Sequence, residues 1–189
     1  MKIIVIEPYR DGWPQEFQEI GAEIRGAVGD FALAVHHIGS TSVPGLAAKD
    51  VIDVQLTVGD LNAPIREALE NAGYRFRDGV FEDHCPPGMT IDPWDLEKRY
   101  YSRDDRKIHL HVRERGRYNQ RYALLCRDYL RFSAMARDAY AEVKRQLARL
   151  FPDDVAAYYA VKDPVFDVLM SGAFVWAETT GWKEPESDA

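Results

Sequence analysis

The segment His37-Ile38-Gly39-Ser40-Thr41-Ser42-Val43-Pro44-Gly45-Leu46-Ala47-Ala48-Lys49 gathers the residue types that hold a phosphate. Glycine lets backbone N–H groups approach an anion without side-chain obstruction, and small hydroxyls reach its oxygens. Gly39, Ser40, Thr41 and Ser42 are therefore candidate phosphate-binding residues, and Lys49 adds a positive charge at the far end of the loop. The competing reading is a serine-rich turn with a solvated lysine. Asp53 follows on the next strand. A carboxylate beside a phosphate-binding turn suits a divalent ion that bridges phosphate oxygens and neutralises charge on a transferred group. Magnesium would use that carboxylate with water and substrate oxygens.

His109-Leu110-His111 is the second constellation. Strand alternation places both imidazoles on one face, about 7 Å apart, a spacing that can converge on one metal. Asp53, His109 and His111 would then form a two-histidine, one-carboxylate set, which prefers zinc, manganese or iron over magnesium. In that arrangement Asp53 and His111 are the catalytic candidates. Alternatively, the histidines hydrogen-bond Asp53 and the hydroxyl loop with no metal. Lys98 and Arg99 could bind a phosphate or guard a sheet edge as charged residues. His84-Cys85 has no second Cys/His pair at zinc-site spacing. His36 and His37 fall on opposite faces, so one is structural. Arg127, Asp128 and Arg131 read as an intrahelical ion-pair set, and Tyr140 with Lys144 as a packing pair.

The elements that position these groups are legible as periodicities. Phe17, Ile20, Ile24 and Val28 recur at helical spacing behind Pro14, and Gly29-Asp30 ends that helix. Residues 31–38 read as a strand and Gly39 to Gly45 as a loop. Over 51–58 the alternation is clearest: Ile52, Val54, Leu56 and Val58 share one face, and Asp53, Gln55 and Thr57 the other. A helix over 62–72 and a short strand over 74–76 follow. Residues 78–95, rich in Gly, Pro, Asp and His, read as a loop or lid. Residues 98–102 and 107–113 pair as a hairpin across Arg103-Asp104-Asp105-Arg106. Helices are expected over 117–132, 134–150, 153–161 and 164–177. The tail from Thr179 lacks apolar anchors and is expected to fray, leaving one domain over 1–178.

Bulk properties narrow the function classes. The 189 residues are 46% hydrophobic and 29% charged, as in one ordinary globular domain. A net charge of −7 argues against broad nucleic-acid binding, which needs a basic surface to displace counterions. No apolar run approaches the roughly 20 residues of a membrane span. The N-terminal run over residues 2–6 is too short for a signal peptide, and Cys85 and Cys126 form no disulfide framework, so the cytoplasm is expected.

Several motifs in order identify a resemblance. Pro8-Tyr9 with Trp13-Pro14 and Phe17, then HIGSTSVPGLAAK with VIDV, HLHV, CRDYLR with Tyr140 and Lys144, and Tyr158 with Lys162 are similar to the GrpB family, over about residues 5–177. The resemblance implies a nucleotidyltransferase-like α/β (α+β) fold: a mixed sheet flanked by helices, with a helical C-terminal portion. Domains similar to this one occur fused to dephospho-CoA kinase. The superfamily's Gly-Ser element falls on Gly39-Ser40 and the first carboxylate of its Asp-x-Asp/Glu pair on Asp53. The second falls on Gln55, a weak neutral ligand, and a later strand offers His109 and His111 where a third carboxylate is expected. Three expectations follow. One is metal-dependent nucleotidyl transfer with magnesium, manganese or zinc, Ser40 and Ser42 gripping phosphates. Another is a non-catalytic module that binds a nucleotide or phosphorylated small molecule, or a protein partner. The third is a metal-dependent hydrolase using the His109, His111 and Asp53 centre.

Overall fold

The computed structural model describes residues 3–189, so Met1 and Lys2 of the N-terminal run lie outside it. Five strands form one mixed sheet: β1 (Ala34–Ile38), β2 (Ile52–Val58), β3 (Arg75–Phe76), β4 (Arg99–Arg103) and β5 (Ile108–Glu114), in spatial order β1-β2-β5-β4-β3. β2 pairs with β5 in parallel, and the other pairings are antiparallel. Among the described residues six α-helices surround the sheet: α1 (Trp13–Val28), α2 (Arg66–Asn71), α3 (Pro93–Leu96), α4 (Tyr118–Phe132), α5 (Ala134–Leu150) and α6 (Val155–Thr180). The α/β architecture with a helical C-terminal portion is the one expected from the sequence.

The alternation over 51–58 explains the sheet's position. Ile52, Val54, Leu56 and Val58 on β2, with Ile108, Leu110 and Val112 on β5, pack beneath Phe17, Ile20 and Ile24 of α1 and Leu69 of α2. Each such side chain, fully buried, contributes about 1.5–3 kcal/mol. The opposite face of β2 is covered as well: Gln55 and Thr57 are fully buried. A second apolar cluster joins α4, α5 and α6 through Leu125, Leu130, Tyr140, Met170 and Ala173, and includes Val43, Leu46 and Ala47 from the Gly-Ser loop. Sheet and C-terminal helices therefore meet around that loop.

Two expectations are corrected. Residues 153–161 and 164–177 form one helix with Pro164 inside it. Proline removes a backbone donor and disfavours a helix interior by about 3 kcal/mol. Pro164 faces solvent, while Tyr158, Met170 and Ala173 of the same helix are buried, so packing holds the helix through it. The tail, expected to fray, lies along the free edge of β1: the Asp188 amide donates to the Val35 carbonyl at 3.0 Å. Its anchors are polar, which is why apolar periodicity gives no sign of them.

Candidate functional site

A cleft of about 410 Å³ opens between the polar face of the sheet and helices α4–α6. Gly39, Ser40, Thr41, Lys49, Asp53, His109 and His111 all line it. Ser42 and Arg99 do not. The Ser42 hydroxyl is buried and donates to the Gly39 carbonyl at 2.6 Å, closing the short 3₁₀ turn Ser40–Ser42. Arg99 pairs with Glu97 at 2.8 Å and stands opposite Val112, on the core face that alternation directs away from the histidines.

Gly39 has φ +69°, and a Cβ built on it would overlap the Asp53 carboxylate. The glycine thus serves two needs, a left-handed backbone and room for the carboxylate directly against the turn. His37 fixes the turn from the other side. Its ring stacks on Phe17 at 4.7 Å, and its Nε2 lies 3.0 Å from the Thr41 hydroxyl, which donates to the Val51 carbonyl. Burial pushes His37 down to about 4, so this imidazole is neutral at pH 7. Thr41 is spent on structure, and Ser40 is the hydroxyl left facing the cleft.

Asp53 and His109 are register partners on β2 and β5, with His109 Nδ1 3.1 Å from Asp53 Oδ1. Burial alone would raise the Asp53 carboxyl. The hydrogen bond from His109 and the fields of the surrounding imidazoles outweigh it and hold the group below its ordinary range. His111 is one pair further along, opposite Gln55, and lies 3.4 Å from Arg113 rather than on Asp53. Burial, then the Arg113 and Lys98 charges, hold His111 well below an ordinary imidazole, so it too is neutral. Among the described residues no three His, Cys, Asp or Glu side chains gather in a metal-holding group. The structure brings Asp53 and His109 together and leaves His111 out of the pair.

Gln55 accepts from Arg113 at 2.6 Å and donates to the Gln120 carbonyl at 3.0 Å. Arg113 also binds Asp83, which takes Lys98 at 2.6 Å and the Asn119 amide at 3.1 Å. Against the effect of burial, Arg113 and Lys98 hold the Asp83 carboxyl far below its usual range. This buried knot pins the 78–95 loop to the sheet. Lys98 belongs to it, paired with Asp83. His84, 3.0 Å from Asp167 of α6, ties the same loop to the opposite wall. Asp50 holds Trp13, Arg10 and Arg106 at the base of α1, away from the cleft lining.

Three lysines complete the cleft, of which only Lys49 stood out as a candidate in the sequence. Lys144 of α5 is 3% exposed and donates to the Ser40 hydroxyl at 2.8 Å. Lys49 donates to Tyr159 Oη at 2.7 Å, and Lys162 sits over the Tyr159 ring at 5.0 Å while pairing with Asp163. Burial first, then Lys162, Lys49 and Arg145, lower the Lys144 ammonium to about 7. A sign was available in the sequence. Lys144 occupies the same helical face as Ala136, Tyr140, Ala141 and Leu147, a buried stripe where a lysine is out of place without a task.

These features define a class of protein: a mixed α/β domain in which a Gly-Ser turn and a strand carboxylate face a lysine-lined cleft roofed by C-terminal helices. The chain belongs to the GrpB family, whose model, described as GrpB protein, matches residues 3–171. It is similar to the crystal structure of conserved protein GrpB from Enterococcus faecalis, at 25% identity and a TM-score of 0.77, over 92% of this chain and 99% of that one. It is 35% identical to UPF0157 protein BH1888 of Halalkalibacterium halodurans, over 90% of this chain and 82% of that protein. A dephospho-CoA kinase of Mycolicibacterium paratuberculosis is 38% identical over 90% of this chain, which spans 46% of that kinase's length. This chain thus spans about half the length of the kinases it matches. Among the described residues no helix is long and apolar enough to cross a membrane.

Proposed function

We propose that the cleft binds the phosphate end of a nucleotide or another phosphorylated small molecule in the cytoplasm, without a metal centre of the paired-carboxylate kind. The observation that carries this reading is Lys144: a buried ammonium whose partner is the Ser40 hydroxyl rather than a carboxylate, in a cluster with Lys49 and Lys162. A buried cation without an anion is unfavourable, and a phosphate entering the cleft relieves that. Ser40, Lys49 and Lys144 take the phosphate oxygens, and Asp53 with His109 forms the floor beside them.

The donors present do not fit the paired-carboxylate magnesium centre. Both ends of the Gln55 amide are occupied, Asp83 is locked by Arg113 and Lys98, and Asp53 is the carboxylate against the turn. No chemical step is therefore routed through a metal, and binding without turnover is the function the geometry favours.

Calorimetric titration with ATP, inorganic tripolyphosphate and dephospho-CoA, each with and without magnesium, tests the reading. The expected result is magnesium-independent binding of at least one of them that disappears in Lys144→Met. Equal affinity in wild type and Lys144→Met, or no binding at all, would sink it. Release of labelled pyrophosphate from ATP with magnesium, lost in Asp53→Ala, would replace it with the transferase reading.

A further inference from the structure

The residues that hold the Gly-Ser turn in place extend beyond the family-matched segment. Arg127 of α4 lines the cleft and is 2% exposed. It donates to the His37 carbonyl at 3.0 Å and to Asp188 Oδ2 at 2.5 Å, with Asp128 accepting from its Nε. The same Asp188 oxygen accepts from the His37 amide at 2.9 Å. β1 is an edge strand, so both main-chain polar groups of His37 lack a neighbouring strand on that side. Asp188 and Arg127 supply the missing partners. His37 is two residues from Gly39 and holds Thr41 through its ring, so it is the pivot of the turn.

Other contacts fix Asp188 in place. The Ser187 hydroxyl accepts from the Val35 amide at 2.9 Å, and Glu184 accepts from Gln120, whose carbonyl holds Gln55. Gly21, in the middle of α1, leaves the space that Ala189 fills: a Cβ there would stand 2.7 Å from the Ala189 Cβ. A mid-helix glycine is unfavourable relative to alanine, and this contact gives it a reason. The family model matches residues 3–171, so these residues lie outside the matched segment.

We infer that residues 184–189 are a positioning strap for the cleft, with Asp188 acting through Arg127 and His37 to keep Ser40 where Lys144 and a phosphate can share it. The ligand half of this inference rests on the phosphate reading above; the loop-ordering half does not. Asp188→Ala is compared with wild type and with Leu69→Ala, which removes core packing beneath the far face of the sheet and touches no part of the strap. Two readouts are taken well below the melting temperature: tripolyphosphate affinity, and amide hydrogen exchange of residues 39–43 in the free protein. Asp188→Ala is expected to weaken tripolyphosphate at least tenfold and to speed exchange at 39–43 at least tenfold. Asp188→Asn should recover part of both, and Leu69→Ala should lower stability while moving neither. Unchanged exchange at 39–43 in Asp188→Ala overturns the strap, as does an equal response in Leu69→Ala. If wild type binds no tripolyphosphate, the phosphate reading falls alone, and the exchange result still decides the strap.

Discussion

Raising the pH from 7 to 9 should weaken phosphate binding through Lys144. The free protein holds this ammonium at about 7, chiefly by burial and then by Lys162 and Lys49. A bound polyphosphate supplies the missing negative charge and keeps it protonated, so binding above pH 7 takes up a proton. Half of the free molecules carry that proton at pH 7 and about one in a hundred at pH 9, so affinity falls roughly 50-fold, or about 2 kcal/mol. A phosphate monoester, with its second pKa near 6, is roughly nine-tenths dianionic at pH 7 and fully so at pH 9, so its own ionisation adds little to the slope. Four nearby groups lie outside this window: Cys126 is pushed up to about 12 by burial, Tyr140 lies well above 10, and His37 and His111 lie below it. Folding has the opposite sign. An unfolded lysine titrates near 10.5, so between 7 and 10.5 the unfolded chain binds more protons and this group makes the ligand-free fold more stable as pH rises. Calorimetry of ATP binding, whose last phosphate ionisation lies below this window, in two buffers of different ionisation enthalpy reads the proton uptake directly, expected to approach about one per site by pH 9. A flat affinity from pH 7 to 9, or an equal slope in Lys144→Met, refutes the assignment.

Gly39→Ala should destabilise the fold by about 1–3 kcal/mol, since it forces a side chain into a left-handed backbone and against Asp53. A thermal double-mutant cycle with Asp53→Ala should recover part of that loss. Asp83→Ala leaves Lys98 and Arg113 buried without their shared carboxylate and should lower stability by about 3–5 kcal/mol in urea melts. Because the folded Asp83 carboxyl is depressed below the ordinary 3.8, its contribution is complete above that value and is lost as the solution is acidified below it. Asp83→Asn should flatten that acid limb. Pro164→Ala should raise the melting temperature, restoring a backbone donor to the middle of α6 at a solvent-facing position.

The sheet was legible because its strands obey period two: the two faces of β2 and the HLH alternation of β5 follow from residue type alone. Pro164 was misleading, because propensity is local and the packing that overrides it involves α4 and α5, distant in sequence. The tail was opaque for the related reason that its contacts, with Val35, His37, Arg127 and Gly21, span more than sixty positions and use polar groups. The turn and Asp53 were recognisable as neighbours. The cationic wall was legible only in part: the apolar stripe of α5 marks Lys144, whereas Lys162 is an ordinary helical residue until the fold turns it over Tyr159.

Position 55 shows how the site's chemistry follows from its surroundings. On β2 it points to the same side as Asp53, where a second carboxylate would share a metal with it. Here the neighbour is Arg113, which shares Asp83 with Lys98, and the other side is the Gln120 carbonyl. A carboxylate at 55 would gain a second strong partner in Arg113 but would face the carbonyl with nothing to donate. Glutamine satisfies both directions at once. Gln55→Glu should therefore lower stability by about 1–3 kcal/mol without creating magnesium binding. Magnesium-dependent stabilisation of that variant, measured by thermal melts with and without the ion, would show instead that a single substitution separates this cleft from a metal site.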